Sequence, residues 1–125
     1  NHIHFSVHLN VDCGQIPIKD YDLCIVLGNL LDNALQANDK IEILEREVLI
    51  EIETTENSKF RIHSENPLPE HDFDVQKNIL HHGYGLENMK KVVSENHGFV
   101  TIRTAEYFVI DILIPIIAEK GAFIR

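Results

Sequence analysis

The chain has 125 residues, a length typical of one globular domain with a single hydrophobic core. Hydrophobic residues make up 44% of it and charged residues 25%, ordinary values for a soluble globular protein. The formal net charge of -9 argues against a surface that binds nucleic acid or an anionic membrane, although backbone amides or a metal ion could still hold an anionic ligand. Cys13 and Cys24 have no metal-ligand spacing, and a reduced pair is favoured over a disulfide.

The first half of the chain predicts a strand, a helix and two more strands. Residues 2–11 alternate apolar and polar side chains, which is typical of a half-buried strand. Asp20 can cap the helix that follows, and leucines and alanines at spacings of three and four predict an amphipathic helix over residues 20–37. Alternation then predicts two antiparallel strands joined around residues 56–58.

The second half begins with residues 66–82, which lack a clear period; a loop of this length in a compact domain is usually functional or mobile. Gly83-Tyr84-Gly85 opens a second amphipathic helix, and Asn96-His97-Gly98 marks its end. Residues 99–104 and 108–114 predict a closing pair of strands.

This order of elements predicts an α+β fold. Helices can cover only one face of such a sheet, so we expect a two-layer α/β sandwich whose mixed, mostly antiparallel sheet is covered on one face. Residues 1–115 are assigned to this domain and residues 116–125 to a C-terminal tail. Because the chain begins directly on a strand-like pattern, we expect it to be part of a longer protein.

Two asparagines, Asn29 and Asn33, are the first candidate site. They lie four residues apart on the predicted helix, so both amides share one face. Leucine and alanine flank them, and a buried amide costs free energy unless a partner satisfies it. The amide oxygen is a hard, neutral ligand suited to Mg²⁺. A ligand or hydrated cation is one interpretation, and rim asparagines satisfied by water are the other.

The glycines before the second helix are the second candidate site. Gly83 and Gly85 let the backbone come close to an anion, and the helix N-terminus offers unpaired amides. Lys90 is a further candidate nucleotide contact because it or Lys91 could approach a phosphate. The alternatives are a simple glycine hinge and solvated surface lysines.

The third candidate is Asn66. Its alternation with Phe60 and Ile62 places it on the core face of a strand, where it could hydrogen-bond a flat heterocycle. The alternative is an Asx turn before Pro67.

Together, in this order and on these elements, the three motifs resemble the GHKL, or Bergerat-fold, ATP-binding superfamily. Residues 27–37 resemble its N box, residues 83–86 its G2 box and residues 67–82 its ATP lid, while Asn66 stands where the G1 box usually has an adenine-binding Asp. The stretches LGNLLDNALQAN and HGYGLENMKKVV are similar to the subgroup found in peptide-pheromone sensor histidine kinases of Gram-positive bacteria. The resemblance covers about residues 3–114.

The resemblance implies a role for each matching residue. Asn33 would coordinate Mg²⁺, and Asn29 would support a phosphate or a metal-bound water; these two are the candidate catalytic residues. Asn66 would face the adenine amino edge. The backbone amides of Gly83, Gly85 and Leu86 would hold the phosphates, and His82 would also contact the nucleotide.

One departure from the family pattern bears on the reaction. Hydrolytic members have a Glu four residues before the Mg²⁺ Asn, and here that position is Asn29, whose amide cannot act as a general base. Phosphoryl transfer would then need an acceptor and its base from elsewhere. Gln36 also stands where many histidine kinases have a basic residue.

The resemblance therefore implies the ATP- and Mg²⁺-binding catalytic domain of a bacterial two-component sensor histidine kinase, a transferase in signal transduction. Its partners would be a separate dimerisation domain that carries the phosphoacceptor histidine and a response regulator, with no nucleic-acid or membrane contact of its own. We expect a cytoplasmic location within a membrane-anchored sensor. The alternative is a GHKL module that senses nucleotide or binds protein without phosphotransfer.

Overall fold

The structure, a computed structural model, describes residues 2–68 and 84–117. Within them the elements are β1 His4–Asn10, α1 Asp20–Asn38, β2 Glu47–Thr54, β3 Lys59–Pro67, α2 Tyr84–Glu95, β4 Phe99–Thr104 and β5 Tyr107–Pro115, with short 3₁₀ turns at Cys13–Gln15 and Ile43–Glu45. Neither described helix has the length and apolar character needed to cross a bilayer. Cys13 and Cys24 are free and exposed, and no disulfide joins them.

The strands form one sheet in the order β1-β2-β3-β5-β4. β1 runs parallel to β2, so α1 lies in the crossover between them, and the other three neighbouring pairs are antiparallel. Both helices pack on the same face of this mixed sheet. The α+β two-layer sandwich expected from the sequence is therefore confirmed.

The hydrophobic core lies between the two helices and one face of the inner strands. Alternate residues of β3 and β5 point into it, as do the predicted apolar stripes of the helices. Full burial of each such side chain contributes about 1.5–3 kcal/mol. The best-buried members are Val26, Leu30, Phe60, Ile62, Leu86, Met89, Val93, Phe108, Ile110, Ile112 and Ile114.

The start of α1 differs from its prediction. Lys19 occupies the N-cap position in an extended conformation and makes no side-chain cap hydrogen bond. Asp20 is the first helical residue, so the prediction that it caps the helix is wrong. Its carboxylate, like that of Asp22, instead lies in the first turn, where a negative charge interacts favourably with the helix dipole.

The end of α1 is tied to β2 by a buried amide. Asn38 donates through Nδ2 to the carbonyl oxygens of Ala34, at 2.8 Å, and Glu47, at 3.1 Å, and its Oδ1 accepts from the Glu47 amide at 3.0 Å. Both donors and one acceptor site of the side chain are therefore satisfied away from water. This clamp fixes where β2 starts relative to α1.

The end of α2 is a Schellman motif. His97 has a φ of 68°, the Gly98 amide donates to the Val93 carbonyl at 2.9 Å, and the His97 amide donates to the Ser94 carbonyl at 3.0 Å. The predicted end signal is confirmed, although the left-handed residue is His97. Gly98 is needed for space, because a Cβ there would lie 2.5 Å from the Leu113 carbonyl oxygen.

The apolar face of β1 is not buried as predicted. Phe5, Val7 and Leu9 are 45%, 54% and 68% exposed, so the prediction of a half-buried strand is wrong. These side chains lie on the helix side of the sheet, since Phe5 is in register with the buried Val48. The two described helices pack over the inner strands, and neither covers β1.

The face of the sheet opposite the helices carries a network of charged groups. The buried His63 lies between two carboxylates, with Nδ1 2.7 Å from Asp111 Oδ1 and Nε2 2.6 Å from Glu65 Oε2. Both ring nitrogens face acceptors, which only the imidazolium form satisfies, because it donates from both. Asp111 also pairs with Arg61 at 3.0 Å and Arg103 at 3.2 Å.

These contacts shift two pKa values in opposite directions. Burial lowers the pKa of His63, but its hydrogen bonds to Glu65 and Asp111 and the Asp111 charge outweigh burial and raise it. Burial raises the pKa of Asp111, but the hydrogen bond and charge of His63, with the nearby arginines, lower it. The contribution of the His63 imidazolium to the stability of the fold is complete below about pH 6.5, and it is lost as pH rises through the raised pKa of His63. The contribution of the ionised Asp111 carboxylate to the stability of the fold is lost as pH falls through the lowered pKa of Asp111.

The space around Gly98 gives a stability prediction. Gly98→Ala should destabilise the fold by about 1–3 kcal/mol, because its Cβ would meet backbone and buried side chains. Gly28→Ala is the matched control: nothing lies within 4 Å of a Cβ there, so helix propensity should stabilise that variant by up to about 1 kcal/mol. Urea unfolding of both variants checks the signs, and equal effects would contradict this packing at Gly98.

The His63 cluster gives a pH prediction. Between about pH 6 and pH 9 the wild-type chain should lose about 1 kcal/mol of unfolding free energy that His63→Gln does not lose, because only the wild type has the paired imidazolium of His63 to deprotonate. Urea unfolding across this range measures the difference. His8→Gln, on an exposed residue of the same face, is the control and should keep the wild-type slope. An unchanged slope in His63→Gln would contradict the paired imidazolium.

Candidate functional site

The structure brings the first two sequence motifs together. Asn29 and Asn33 are half-buried neighbours on one face of α1, as their spacing predicts. A Cβ placed on Gly85, in the first turn of α2, would lie 3.0 Å from Asn29 Oδ1. The missing side chain of Gly85 thus lets α2 approach the asparagine pair. The two motifs form a single site between the helices.

The Asn33 amide is held in a defined orientation. Its Nδ2 donates to the Asn29 backbone carbonyl at 2.9 Å, one turn earlier in α1. This bond engages the nitrogen, so Oδ1 is the atom that can bind a ligand. A neutral, hard oxygen held on a helix suits Mg²⁺, which needs only one or two protein oxygens because it keeps its waters. The donor set therefore fits this ion.

Asn66 lies at the end of β3 on the helix side of the sheet. It is 1% exposed and shares this face with Ile62 and Ser64, so the face predicted from alternation is confirmed. Its Nδ2 donates to the Pro67 carbonyl at 3.1 Å. This bond leaves Oδ1 as an acceptor, which is the group that an exocyclic amine of a heterocycle requires.

Ser64 is a buried polar residue to which the sequence assigned no role. It is 2% exposed and lies on the same strand face as Asn66. The signal that could have found it is the same two-residue alternation, since a hydroxyl in a row of core positions is unusual.

Of the other residues predicted to contact the nucleotide, Leu86 and Lys90 lie among the described residues. Leu86 is buried in the core, so a nucleotide could meet only its backbone, the group assigned to this role. Lys90 is exposed, and its Nζ lies 3.8 Å from Glu87 Oε2. His82 and Gly83 lie outside the described residues, so their assigned contacts stay predictions. The site that the structure does assemble consists of Asn29, Asn33 and Gly85.

The sequence of the chain matches a known family over most of its length. Residues 18–115 match the model of a family described as the GHKL domain. The chain belongs to the GHKL family. The matched range includes Asn29 and Asn33, in the segment that resembles the N box, and Gly85, in the segment that resembles the G2 box. No curated protein sequence matches this GHKL chain.

Solved histidine kinases share the fold of this GHKL chain. A mycobacterial sensor histidine kinase, MprB, matches with a TM-score of 0.65 and 18% identity, over 90% of this chain and 81% of that one. The catalytic domain of the histidine kinase ThkA matches with a TM-score of 0.62 and 20% identity, over 90% and 79%. Acinetobacter baumannii AdeS matches with a TM-score of 0.62 and 15% identity, over 90% and 54%.

Because all three sequence identities are low, these structural comparisons establish the fold of the chain and nothing finer. The chain spans about half the length of two of the matched structures, 54% of AdeS and 52% of the histidine kinase domain from the blue-light activated histidine kinase of Erythrobacter litoralis EL346. The fold of a GHKL domain is thus present in a chain that is shorter than these kinases.

The contact between the two GHKL motifs gives a prediction that needs no assay of activity. Gly85→Ala should be better tolerated in an Asn29→Ala background than in the wild type, because the truncation removes the oxygen that the new Cβ would approach. Unfolding free energies of the four proteins should show a coupling of about 0.5–3 kcal/mol.

A cycle with Gly28→Ala in place of Gly85→Ala is the control. Outside the adjoining residues and the backbone of its own helix, no atom lies within 4 Å of a Cβ at Gly28, so those two changes should add to within about 0.5 kcal/mol. Additive effects in the Gly85 cycle would rule out the contact between Asn29 and Gly85.

Proposed function

We propose that this GHKL chain is the Mg²⁺-ATP-binding catalytic domain of a bacterial sensor histidine kinase, which gives the γ-phosphate to a histidine on a separate dimerisation domain. The observation that carries the proposal is the close approach of Gly85 to Asn29, whose backbone carbonyl holds the Asn33 amide, between the two helices. The fold shared with MprB, ThkA and AdeS supports it.

Three parts of the site would hold the nucleotide. Asn66 Oδ1 would accept a hydrogen bond from the adenine amino group, because its Nδ2 is already bonded to the Pro67 carbonyl. The amides at the start of α2 would hold the phosphates, where Gly85 leaves room and the helix dipole favours negative charge. This local field matters because the whole chain carries a net charge of -9.

The N box would hold the metal ion. Asn33 Oδ1 would coordinate Mg²⁺, while the hydrogen bond from Nδ2 to the Asn29 carbonyl fixes the plane of the amide. Asn29 would position a phosphate oxygen or a water beside Gly85. When bound, Mg²⁺ neutralises charge on the phosphates.

The residues of the site favour transfer over hydrolysis. An amide cannot take a proton from water, so Asn29 does not activate a water for attack on ATP. The chain would therefore contribute positioning and charge neutralisation, and the nucleophile would be the imidazole of the acceptor histidine. A gyrase- or MutL-like ATPase is disfavoured for the same reason. We expect weak ATP binding and slow turnover by the isolated chain.

A single substitution tests the metal ligand. Asn33→Ala should abolish the Mg²⁺-dependent part of ATP binding, which we expect to be at least about tenfold in affinity. Calorimetry of both proteins with ATP, in Mg²⁺ and in EDTA, measures this difference. Asp32→Ala, at the exposed neighbouring position, is the control and should keep the wild-type response. An unchanged Mg²⁺-dependent affinity in Asn33→Ala would count against the assignment.

A nucleotide-sensing or interaction module is the second candidate. Asn66 and Gln36, which differ from the residues usual in histidine kinases, favour it. Incubation with γ-labelled ATP and a histidine-bearing helical hairpin of the same kinase separates the two. Transfer of label to the hairpin supports the kinase, and binding of ATP without transfer supports the module. Rapid ATP turnover without an acceptor would overturn both.

A further inference from the structure

The outer edge of β1 is an apolar surface that neither described helix covers. The sheet order places β1 at one edge, and within the described residues no strand pairs with its outer side. The side chains of Phe5, Val7 and Leu9 are exposed on the helix side of this edge. Close by, Ile43 is 54% exposed and Leu44 98% exposed beside the start of β1.

The same three residues of β1 present their backbone groups outward. The His4 amide donates to the Arg46 carbonyl at 3.0 Å, so in this parallel pair the even-numbered residues of β1 point their N–H and C=O groups at β2. The N–H and C=O groups of Phe5, Val7 and Leu9 therefore point away from the sheet. Each of these residues offers both a hydrogen-bonding backbone and an apolar side chain.

The edge also lacks the features that usually prevent strand pairing. The sequence of β1, HFSVHLN, contains no proline and no Lys, Arg, Asp or Glu, although the chain has a net charge of -9. The opposite edge strand, β4, carries Arg103. Within β1 itself, two copies would therefore bring no like-charged side chains together.

We propose that β1 is an interface with a second copy of this chain, formed by antiparallel pairing of the two β1 strands about a two-fold axis at Val7. Val7 is the midpoint of His4–Asn10, so this register alone pairs both strands along their whole length. Val7 faces its own copy, and Phe5 of each chain faces Leu9 of the other. Such an interface is isologous, the usual form in a two-fold dimer.

This register satisfies the backbone and the side chains together. The outward residues at positions 5, 7 and 9 become the hydrogen-bonded pairs of the new ladder, which joins two five-stranded sheets into one. Their side chains form apolar pairs across the junction on the helix side. On the other face, Ser6 meets His8 and His4 meets Asn10, so no two carboxylates or ammonium groups are opposed. This self-match favours a second copy over a partner of unrelated sequence.

The proposal goes beyond the proposed kinase function, because none of the residues assigned to ATP or Mg²⁺ lies in β1. Its test is therefore independent of nucleotide binding. ATP affinity should be unchanged by every substitution in the next experiment.

Sedimentation analysis of the 125-residue chain over a wide concentration range tests the dimer. The wild type should be a concentration-dependent dimer. Val7→Lys and Val7→Glu should each weaken association more than about tenfold, because each places two like charges opposite each other. Phe99→Lys makes the same kind of change at an exposed apolar residue of the other edge strand, and this variant should dimerise like the wild type. Circular dichroism confirms that each variant is folded.

Mixing the two Val7 variants tests the register. An equimolar mixture should restore association, because opposite charges then meet at the two-fold position. If either variant fails to fold, Leu9→Lys and Phe5→Glu replace them, since these positions also face each other and both are exposed. Restored dimers in the mixture support the proposal. A wild-type chain that stays monomeric, a dimer lost in Phe99→Lys alone, or a mixture that stays monomeric would each overturn it.

Discussion

The structure depends on the packing of two helices against one face of the sheet. Phe60, Ile62 and Ile112 of the inner strands form the floor on which α1 and α2 lie. Because both helices need that floor, they must lie side by side, and Gly85 lets them do so at Asn29. The candidate site is thus a consequence of core packing. The same one-sided arrangement leaves the opposite face to the charged network, and neither of the two described helices covers β1.

Four asparagines show how position decides what one side chain does. Asn38 is fully enclosed and bonds to the backbone of Glu47, so its role is to join a helix to a strand. Asn33 and Asn66 each use the amide nitrogen locally, on Asn29 and on Pro67, and offer the oxygen. Asn29 lies against Gly85 at the boundary of two helices. None of these differences follows from residue type alone.

Local periodicity predicted much of the fold and part of the site. The alternation of β3 gave the face of Asn66, and the helical spacing of α1 put Asn29 beside Asn33, because both features depend only on backbone geometry. The exposure of β1, the clamp of Asn38 on Glu47 and the pairing of His63 with Asp111 were not predictable in this way. Each of these features depends on which elements distant in sequence pack against one another, and the periodicity of apolar residues within one element does not show that.

The topology also bears on the order in which the sheet assembles. The β2–β3 and β4–β5 hairpins pair residues that are close in sequence, such as Thr54 with Phe60 and Thr104 with Phe108. β1 instead pairs His4 with Glu47, on the far side of α1, so a long loop must close before that ladder forms. β1 is therefore the strand to join last during folding and the first to detach in local unfolding. In the monomer, its backbone amides should exchange hydrogen faster than those of the inner strands β2, β3 and β5.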